Sequence, residues 1–434
     1  MINKKLKLVT ALGCAIGIAA PASVFATNGM FLISNGTKSR GMGGTATALT
    51  HDTLTSATNP ATMGFTGNRF DIGGDIFVPA AEATLGQGDI RATEESKPTH
   101  FTIADGVYMM PNMGASWSDG DLSYGFTMVG VGGGGSQYNF NLYNNTNPGA
   151  DNNQKLGVSL LIMNINPTIA YKIDEQNTVG ASLVVGMQVF KAFGLSEFTT
   201  FTATGDDTSK FTNQGSEVSY GAGVRLGWLG KYMDKQLTLG AAYTSKTFMS
   251  EFDDYKDLFA EGDMDTPGNV TLGAAYNIKK DWTVAFDITY IMYEDVAAVS
   301  NIGPNTAGEP FPVSQAVNAL GLPEGLGFGW TNQTVYEIGV EHLYNDKWTL
   351  RAGWNYAESP IDEEREILFN IVAPATVEHH LTLGATWQYK TDIEFSFSYI
   401  HAFENEQFGP TQIGYQGGMS MSQNSIGATF SMGF

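Results

Sequence analysis

Cysteine is nearly absent: the chain has one, Cys14, among 434 residues. It lies in the first 26 residues, so a chain cut after Ala26 has no thiol. That excludes disulfides, thiol catalysis and cysteine-held zinc or iron–sulfur centres. Charge is also scarce, at 15% of residues, where a soluble chain averages about 25%. What charge there is leans negative, with 44 acids against 23 Lys and Arg, net −21, and argues against a nucleic-acid partner. Proline is too rare for a Pro/Gly linker, at 15 residues. Beyond the leader no run of 18 apolar residues occurs, so no transmembrane helix is expected. The hydrophobic fraction of 42% is too low for a bundle of such helices. No Gly-x-Ser-x-Gly elbow is found, and Gly132 to Gly135 lack the Lys-Ser/Thr and helix of a phosphate loop. The adjacent His379 and His380 would face opposite sides of a strand and make poor joint metal ligands. The chain therefore reads as no enzyme, with no cofactor and no metal.

Glycine, at 52 residues, and aromatics, at 12%, are what the chain has in abundance. Lys4, Lys5 and Lys7, an apolar stretch from Leu8 to Ala22, and Val24-Phe25-Ala26 before the cut form a secretory signal peptide over residues 1–26. Its loss takes the net charge from −21 to −24. From about Asn68 onward the pattern is ten alternating residues, a turn, then ten more. Val270, Leu272, Ala274, Tyr276 and Ile278 share one face, with Thr271, Gly273 and Ala275 on the other. Val218, Tyr220, Ala222, Val224, Leu226 and Trp228 alternate with Ser219, Gly221, Gly223, Arg225 and Gly227. Trp348 to Tyr356 and Ile426 to Phe434 repeat this. Successive strand side chains point to opposite faces. One face is apolar with aromatic ends and the other small or polar, as in an outer-membrane barrel with lipid outside and a polar lumen.

Six short polar turns punctuate the strands, at 118–121, 174–177, 231–235, 279–281, 345–347 and 390–392. Seven long stretches lie between them, near 83–104, 136–158, 192–214, 250–268, 297–329, 358–375 and 404–421. Thirteen connections predict about 14 antiparallel strands, the short turns periplasmic and the long loops outside. Acids gather in the long stretches, as at Glu251, Asp253, Asp254 and Asp257, and read as a solvated face near lipopolysaccharide. Phe434 falls on the lipid face of the last strand, a terminal aromatic of the kind favoured by barrel-assembly machinery. The expected place is the outer membrane of a Gram-negative bacterium, and the expected state a monomer.

Residues 27–67 break the pattern. They are rich in Gly, Ala and Thr, with a short helix expected around Thr45 to Leu54 and a turn at Asn59-Pro60-Ala61. Too few large side chains are present for an independent core, so this segment is expected to pack inside the lumen of residues 68–434, which is wide enough to need a plug. The run Ser39-Arg40-Gly41-Met42-Gly43-Gly44-Thr45-Ala46 through Asn59-Pro60-Ala61 resembles the N-terminal hatch of the long-chain fatty-acid outer-membrane transporter family. Tyr108 to Met113, Tyr255 to Ala260, Trp282 to Asp295 and Trp348 to Gly353 match the family in order. The resemblance implies a 14-strand barrel with an N-terminal hatch, gated around Gly43, Gly44, Asn59, Pro60 and Ala61. It implies uptake of fatty acids or other hydrophobic compounds by passive diffusion.

The family also implies an apolar landing groove, and two loop segments offer helical spacing for one: Phe252, Tyr255, Leu258 and Phe259, or Val313, Ala316, Val317 and Leu320. On the third strand, Leu122, Tyr124, Phe126 and Met128 keep one parity, and Val129 and Val131 take the other. A parity change beside Gly130, Gly132, Gly133, Gly134 and Gly135 marks a bulge or kink. In the family such a kink opens a side hole in the wall, so lateral release into the membrane is expected there. Arg225, Lys246 and Arg351 point to the lumen by parity, with Asp287, Glu337 and Glu341. The three basic residues are candidate contacts for a substrate carboxylate, or members of lumen-filling ion pairs. The competing reading is a structural or adhesive barrel without transport.

Overall fold

The computed structural model describes residues 28–87, 92–96, 108–143, 155–203, 208–303, 319–411 and 415–434. The leader, and Val313, Ala316 and Val317 of the second groove segment, lie outside the described residues.

Fourteen antiparallel strands close into a barrel. In chain order they are β1 (Arg69–Gln87), β2 (Tyr108–Asp119), β3 (Leu122–Tyr138), β4 (Leu156–Lys172), β5 (Asn177–Phe193), β6 (Glu217–Tyr232) and β7 (Leu237–Thr244). The second half is β8 (Asn269–Lys279), β9 (Trp282–Ile291), β10 (Gln333–Asn345), β11 (Trp348–Ala357), β12 (His379–Lys390), β13 (Ile393–Pro410) and β14 (Tyr415–Gly433). Each pairs with its chain neighbour, and β14 returns to β1 from Arg69↔Gly433 to Gln87↔Tyr415. Closure pairs the first strand with the last, as the hydrocarbon layer requires because no water is there to satisfy a free edge. A short strand Ala92–Ser96 extends the hairpin on β1, and Phe248–Met249 adds to β6.

Alternation sets the two faces. Leu272, Ile278, Tyr220, Leu226 and Ile426 are more than half exposed, while Thr271, Ser219, Ser425 and Thr429 between them are buried. The exposed apolar side chains are the lipid face. Near the short turns the rings stack: Trp117 on Tyr124 at 6.0 Å, Trp348 on Trp387 at 6.3 Å, and Trp387 on Phe395 at 5.8 Å. The exposed Phe434 joins them, its ring 6.4 Å from Trp117.

The six short turns stand where the sequence places them. The loops differ at two points. The stretch 404–421 is mostly strand, because β13 runs to Pro410 and β14 starts at Tyr415. At 83–104, β1 continues to Gln87. These extensions mix glycine and polar residues with a few buried apolar ones such as Leu85, Met419 and Met421, so alternation fades while the hydrogen-bond ladder continues.

Residues 28–67 run inside the ring of strands and touch its wall on nearly every side. They hold a one-turn helix Thr37–Arg40 and two 3-10 helices, Thr53–Ala57 and Pro60–Phe65. The helix expected around Thr45 to Leu54 is not formed. Residues 45–52 are irregular, because their amides turn outward to the wall: Ala46 and Thr47 donate to the Asp287 carboxylate on β9 at 2.9 and 2.8 Å.

Candidate functional site

The internal segment meets the wall closely because both sides are stripped of side chains. Gly43 sits at φ 71° and Gly44 at φ 102°, conformations that favour glycine. A Cβ on Gly43 would overlap backbone atoms of Ile338 and Trp354. The wall answers with its own glycines: Gly227 against Asn59, Gly240 and Gly273 against Thr47, Gly339 against Met42, and Gly384 against Gly41. Asn59 fixes the other end. Its Oδ1 accepts from the Ala61 N–H at 3.1 Å, capping the helix that Pro60 begins, and its Nδ2 donates to the Thr47 and Trp228 carbonyls at 2.7 and 2.9 Å. Gly43, Gly44, Asn59, Pro60 and Ala61 thus lie in contact with the wall.

Charges complete the seat. Arg40 pairs with Asp75 on β1, both fully buried. Lys38 donates to Glu394 on β13 at 2.6 Å, and Arg69 bridges Glu394 and Asp71. Asp71 in turn accepts from the Thr53 N–H at 2.9 Å. The sequence reading missed this set. Its signal was present: Asp71 and Asp75 stand four residues apart on the inward parity of β1, across from a Lys and an Arg in a segment otherwise poor in charge.

Above this seat the wall is irregular. The β2–β3 ladder ends at Asn112↔Val129, although β2 continues along β1 to Tyr108 and β3 along β4 to Tyr138. Pro111, just beyond the last pair, has no N–H to extend the ladder. A register shift between Gly130 and Gly132 leaves Val131 as a bulge. The edge of β3 that β2 abandons is taken by the internal segment. Leu32 N–H donates to the Val131 carbonyl at 3.0 Å, and Gly133 N–H to the Met30 carbonyl at 2.8 Å.

Two cavities flank this junction. The outer one is apolar, with about 560 Å³ of empty space between Gly133, Gly134, Gly135, Leu160, Phe190, Phe259, Phe328, Trp330 and the tip of the internal segment at Gly29 and Met30. The inner one, about 790 Å³, has a mixed lining, in which Phe31, Leu32 and Val131 stand beside Arg225, Thr244, Thr271 and Glu337. Residues 29–32 therefore separate an oily chamber from a hydroxyl-rich one.

The loop residues take a different form from the expected helix. Residues 253–258 form consecutive turns, and Phe252, Tyr255, Leu258 and Phe259 are all buried. Three of these rings pack on Phe190 of β5, at centroid distances of 5.6, 4.9 and 4.8 Å. Burial of four large side chains outweighs any exposed groove, and only Phe259 reaches the outer cavity. Leu320 is likewise buried, its N–H donating to the Phe201 carbonyl.

The three basic candidates separate. Arg351 is held by Glu341 at 2.8 Å and by Thr386, and Glu341 also contacts His51 of the internal segment at 3.2 Å. Lys246 lies beyond the end of β7 and pairs with Asp265 at 2.9 Å. Arg225 is buried, donates to Thr244 Oγ1 at 2.9 Å, and lines the inner cavity. No carboxylate among the described residues comes within ion-pair distance of it, and its Nη1 has no hydrogen-bond partner. His379 is exposed and stacks on Tyr356, whereas His380 is buried, on opposite faces as expected.

Among the loops outside the bilayer, burial sets two titrations. Glu366 accepts the Gly303 N–H at 2.8 Å in a dry corner, and that burial raises its carboxyl to about 7. Asp263 is raised to about 6 by burial and by the neighbouring Asp265 and Glu261.

A family model described as outer membrane protein transport protein (OMPP1/FadL/TodX) matches residues 14–434. No curated protein matches the chain. Among solved structures, the Pseudomonas putida toluene transporter TodX aligns over 92% of this chain and 99% of its own, with TM-score 0.67 and 21% identity. The Ralstonia pickettii toluene transporter TbuX aligns over 95% and 100%, with TM-score 0.66 and 22% identity. A Pseudomonas aeruginosa FadL homologue aligns over 94% and 100%, with TM-score 0.65 and 14% identity. At these identities the likeness is one of fold.

Proposed function

Because the chain belongs to the OMPP1/FadL/TodX family of outer membrane transport proteins, we propose that it carries hydrophobic compounds through the outer membrane by a path that bypasses the aqueous pore. The observation that carries this reading is the outer cavity, apolar on all sides and reached by the stretch of β3 that has lost β2 as its partner. An apolar solute resists a watery lumen at about 0.8 kcal/mol per exposed CH₂. A dry chamber beside a break in the wall removes that cost, since the solute can pass sideways into lipid. Residues 28–67, locked to the wall by glycine contacts and ion pairs, serve as the hatch that keeps polar solutes out. Their tip, residues 28–32, borders both chambers, and Ser34, Asn35, Gly44, Ala57 and Thr58 border the inner one.

Substrates of two kinds suit the two cavities. The rings of Phe190, Phe259, Phe328 and Trp330 accept an aromatic hydrocarbon edge-on, in keeping with the toluene transporters of the same fold. An amphipathic acid would first rest its chain in the outer chamber and, once past residues 29–32, set its carboxylate against Arg225, whose buried guanidinium has no acidic partner among the described residues. The protein acts as a monomer, its single chain closing its own barrel, and Phe434 is offered to the assembly machinery. Labelled toluene and labelled oleate, given to cells with and without the chain, test the reading. Both should enter faster with it, and Arg225→Gln should slow oleate while sparing toluene. Equal entry with and without the chain would refute transport.

A further inference from the structure

On the lipid side of β11 to β14 the wall carries a chain of rings interleaved with polar groups. The facing pairs Trp348↔Trp387 and Tyr356↔His379 on β11 and β12 stand eight residues apart. Eight residues of strand span about 26 Å, and a tilt near 40° leaves about 20 Å of that along the membrane normal. Trp348 and Trp387 mark the side of the short turns, so Tyr356 and His379 lie near the outer border of an apolar band about 25 Å tall. From there the rings run on toward β13. His379 stacks on Tyr356 at 4.6 Å and lies 5.5 Å from Trp354, which is 5.6 Å from Phe403. Phe403 in turn meets His401 edge-on at 4.7 Å. A register shift between Ala402 and Asn405 places Phe403 and Glu404 in a bulge, and both remain exposed.

The polar groups beside these rings are aimed. The Tyr399 hydroxyl donates to Asn424 Oδ1 at 2.7 Å, and His401 Nδ1–H donates to the same oxygen at 3.0 Å, since an amide oxygen only accepts. With Oδ1 held twice, the Asn424 Nδ2 donors and His401 Nε2 are left without a partner among the described residues. In the neutral imidazole that Nε2 accepts. Flanking charges are acidic: Glu358 and Glu378 beside Tyr356, and Glu404 beside Phe403. A fully ionised phosphate would meet these acids and has no proton to give Nε2. A sugar hydroxyl both donates and accepts, and the C–H face of its ring packs on aromatic faces, which carry negative charge. At this height the outer leaflet of the outer membrane holds lipopolysaccharide. We propose that Trp354, His401, Phe403 and Asn424 form a binding site for the sugar headgroup of a lipopolysaccharide molecule. The site depends on the placement of the barrel in the outer membrane and not on the transport reading, and none of the four residues lines either cavity.

Native mass spectrometry tests this on protein purified in lauryldimethylamine oxide, a detergent without sugar, and titrated with deep-rough lipopolysaccharide. The wild type should retain one molecule. The double variant His401→Phe, Asn424→Leu should hold it about tenfold more weakly, as expected for the loss of two or three exposed hydrogen bonds. Trp354→Leu, which removes a ring face, should weaken it too. Tyr220→Leu takes an exposed ring from β6 instead and should change nothing, which separates this patch from the general effect of rings at a membrane border. Lipopolysaccharide stripped of its phosphates should still bind, and phosphatidylglycerol should not compete. Binding that disappears with the phosphates, or equal competition by phosphatidylglycerol, would overturn the sugar assignment. Equal affinity of the wild type and the double variant would overturn the site. Should the double variant fail to assemble, His401→Phe alone keeps the ring contact with Phe403 and decides the matter by the same comparison.

Discussion

Gly43 and Gly353 meet backbone to backbone: a Cβ on Gly353 would overlap the amide nitrogen of Gly43. This contact, repeated in kind at Gly339 and Gly384 on the flanking strands, lets a segment with little side-chain bulk lie directly against the wall. Close approach of main chains brings the wall within hydrogen-bond reach, as where Gly43 N–H donates to Thr382 Oγ1 at 2.8 Å. Seating the segment is therefore a matter of fit more than of hydrophobic burial.

Gly353→Ala should unseat residues 41–44, since overpacking of a close contact costs about 1–3 kcal/mol. Single-channel conductance and leakage of a large polar antibiotic into cells should both rise, with the barrel still resistant to detergent unfolding. Conductance equal to the wild type would show that the segment yields without opening a path.

Asp287→Ala removes the acceptor of two buried amides, Ala46 and Thr47. Each unsatisfied N–H costs about 1–3 kcal/mol, so thermal unfolding should shift downward and residues 45–48 should lose exchange protection. Asp287→Asn, which keeps one acceptor oxygen, should fall between. A ranking in which Asn is the worse of the two would count against the amide-acceptor role.

On β3, Gly134 offers room where Gly132 and Gly135 do not. A Cβ there meets nothing within 4 Å, whereas at Gly132 it would strike Met30 and at Gly135 Val158. Gly134→Leu should fold normally and fill the outer cavity, cutting toluene uptake severalfold. Gly132→Leu should instead disturb residues 30–32. Undiminished uptake by Gly134→Leu would remove this chamber from the path.

Glu366 gives a pH dependence whose sign is fixed. Its folded value near 7 lies above the ordinary value of 4.5, so the folded loops favour the protonated form. The stabilisation is whole below about pH 4.5 and is lost as pH rises through 7. Exchange protection around residues 301–303 and 327–329, corrected for intrinsic rate, should be higher at pH 5.5 than at pH 8. Glu366→Gln, which still accepts from Gly303, should flatten the difference; a dependence that persists in this variant would assign it to another group.

Much of the wall was legible because a strand in lipid must alternate, and each residue from Val270 to Ile278 declares its face without reference to any other. The six polar turns were legible for a like reason: a short reversal needs local chemistry such as Asp174 capping the Gln176 and Asn177 amides. The bulge at Val131 also left a local trace, in the change of parity among glycines. What lay hidden was long-range. Phe252, Tyr255, Leu258 and Phe259 carry a spacing that suits a helix, yet Phe190, some sixty residues earlier, draws them into turns against β5. Arg225, Lys246 and Arg351 look alike along the chain, and only the fold gives Arg351 to Glu341, Lys246 to Asp265, and leaves Arg225 facing a cavity. The Tyr293 contact with Asn28 and Met30 spans more than 260 positions, a pairing that no period or motif encodes. The sequence by itself determined which solvent each strand face meets, since that depends on one side chain at a time. The tertiary structure decided which charges are cancelled and where the wall is broken, since those depend on which distant groups closure of the barrel brings together.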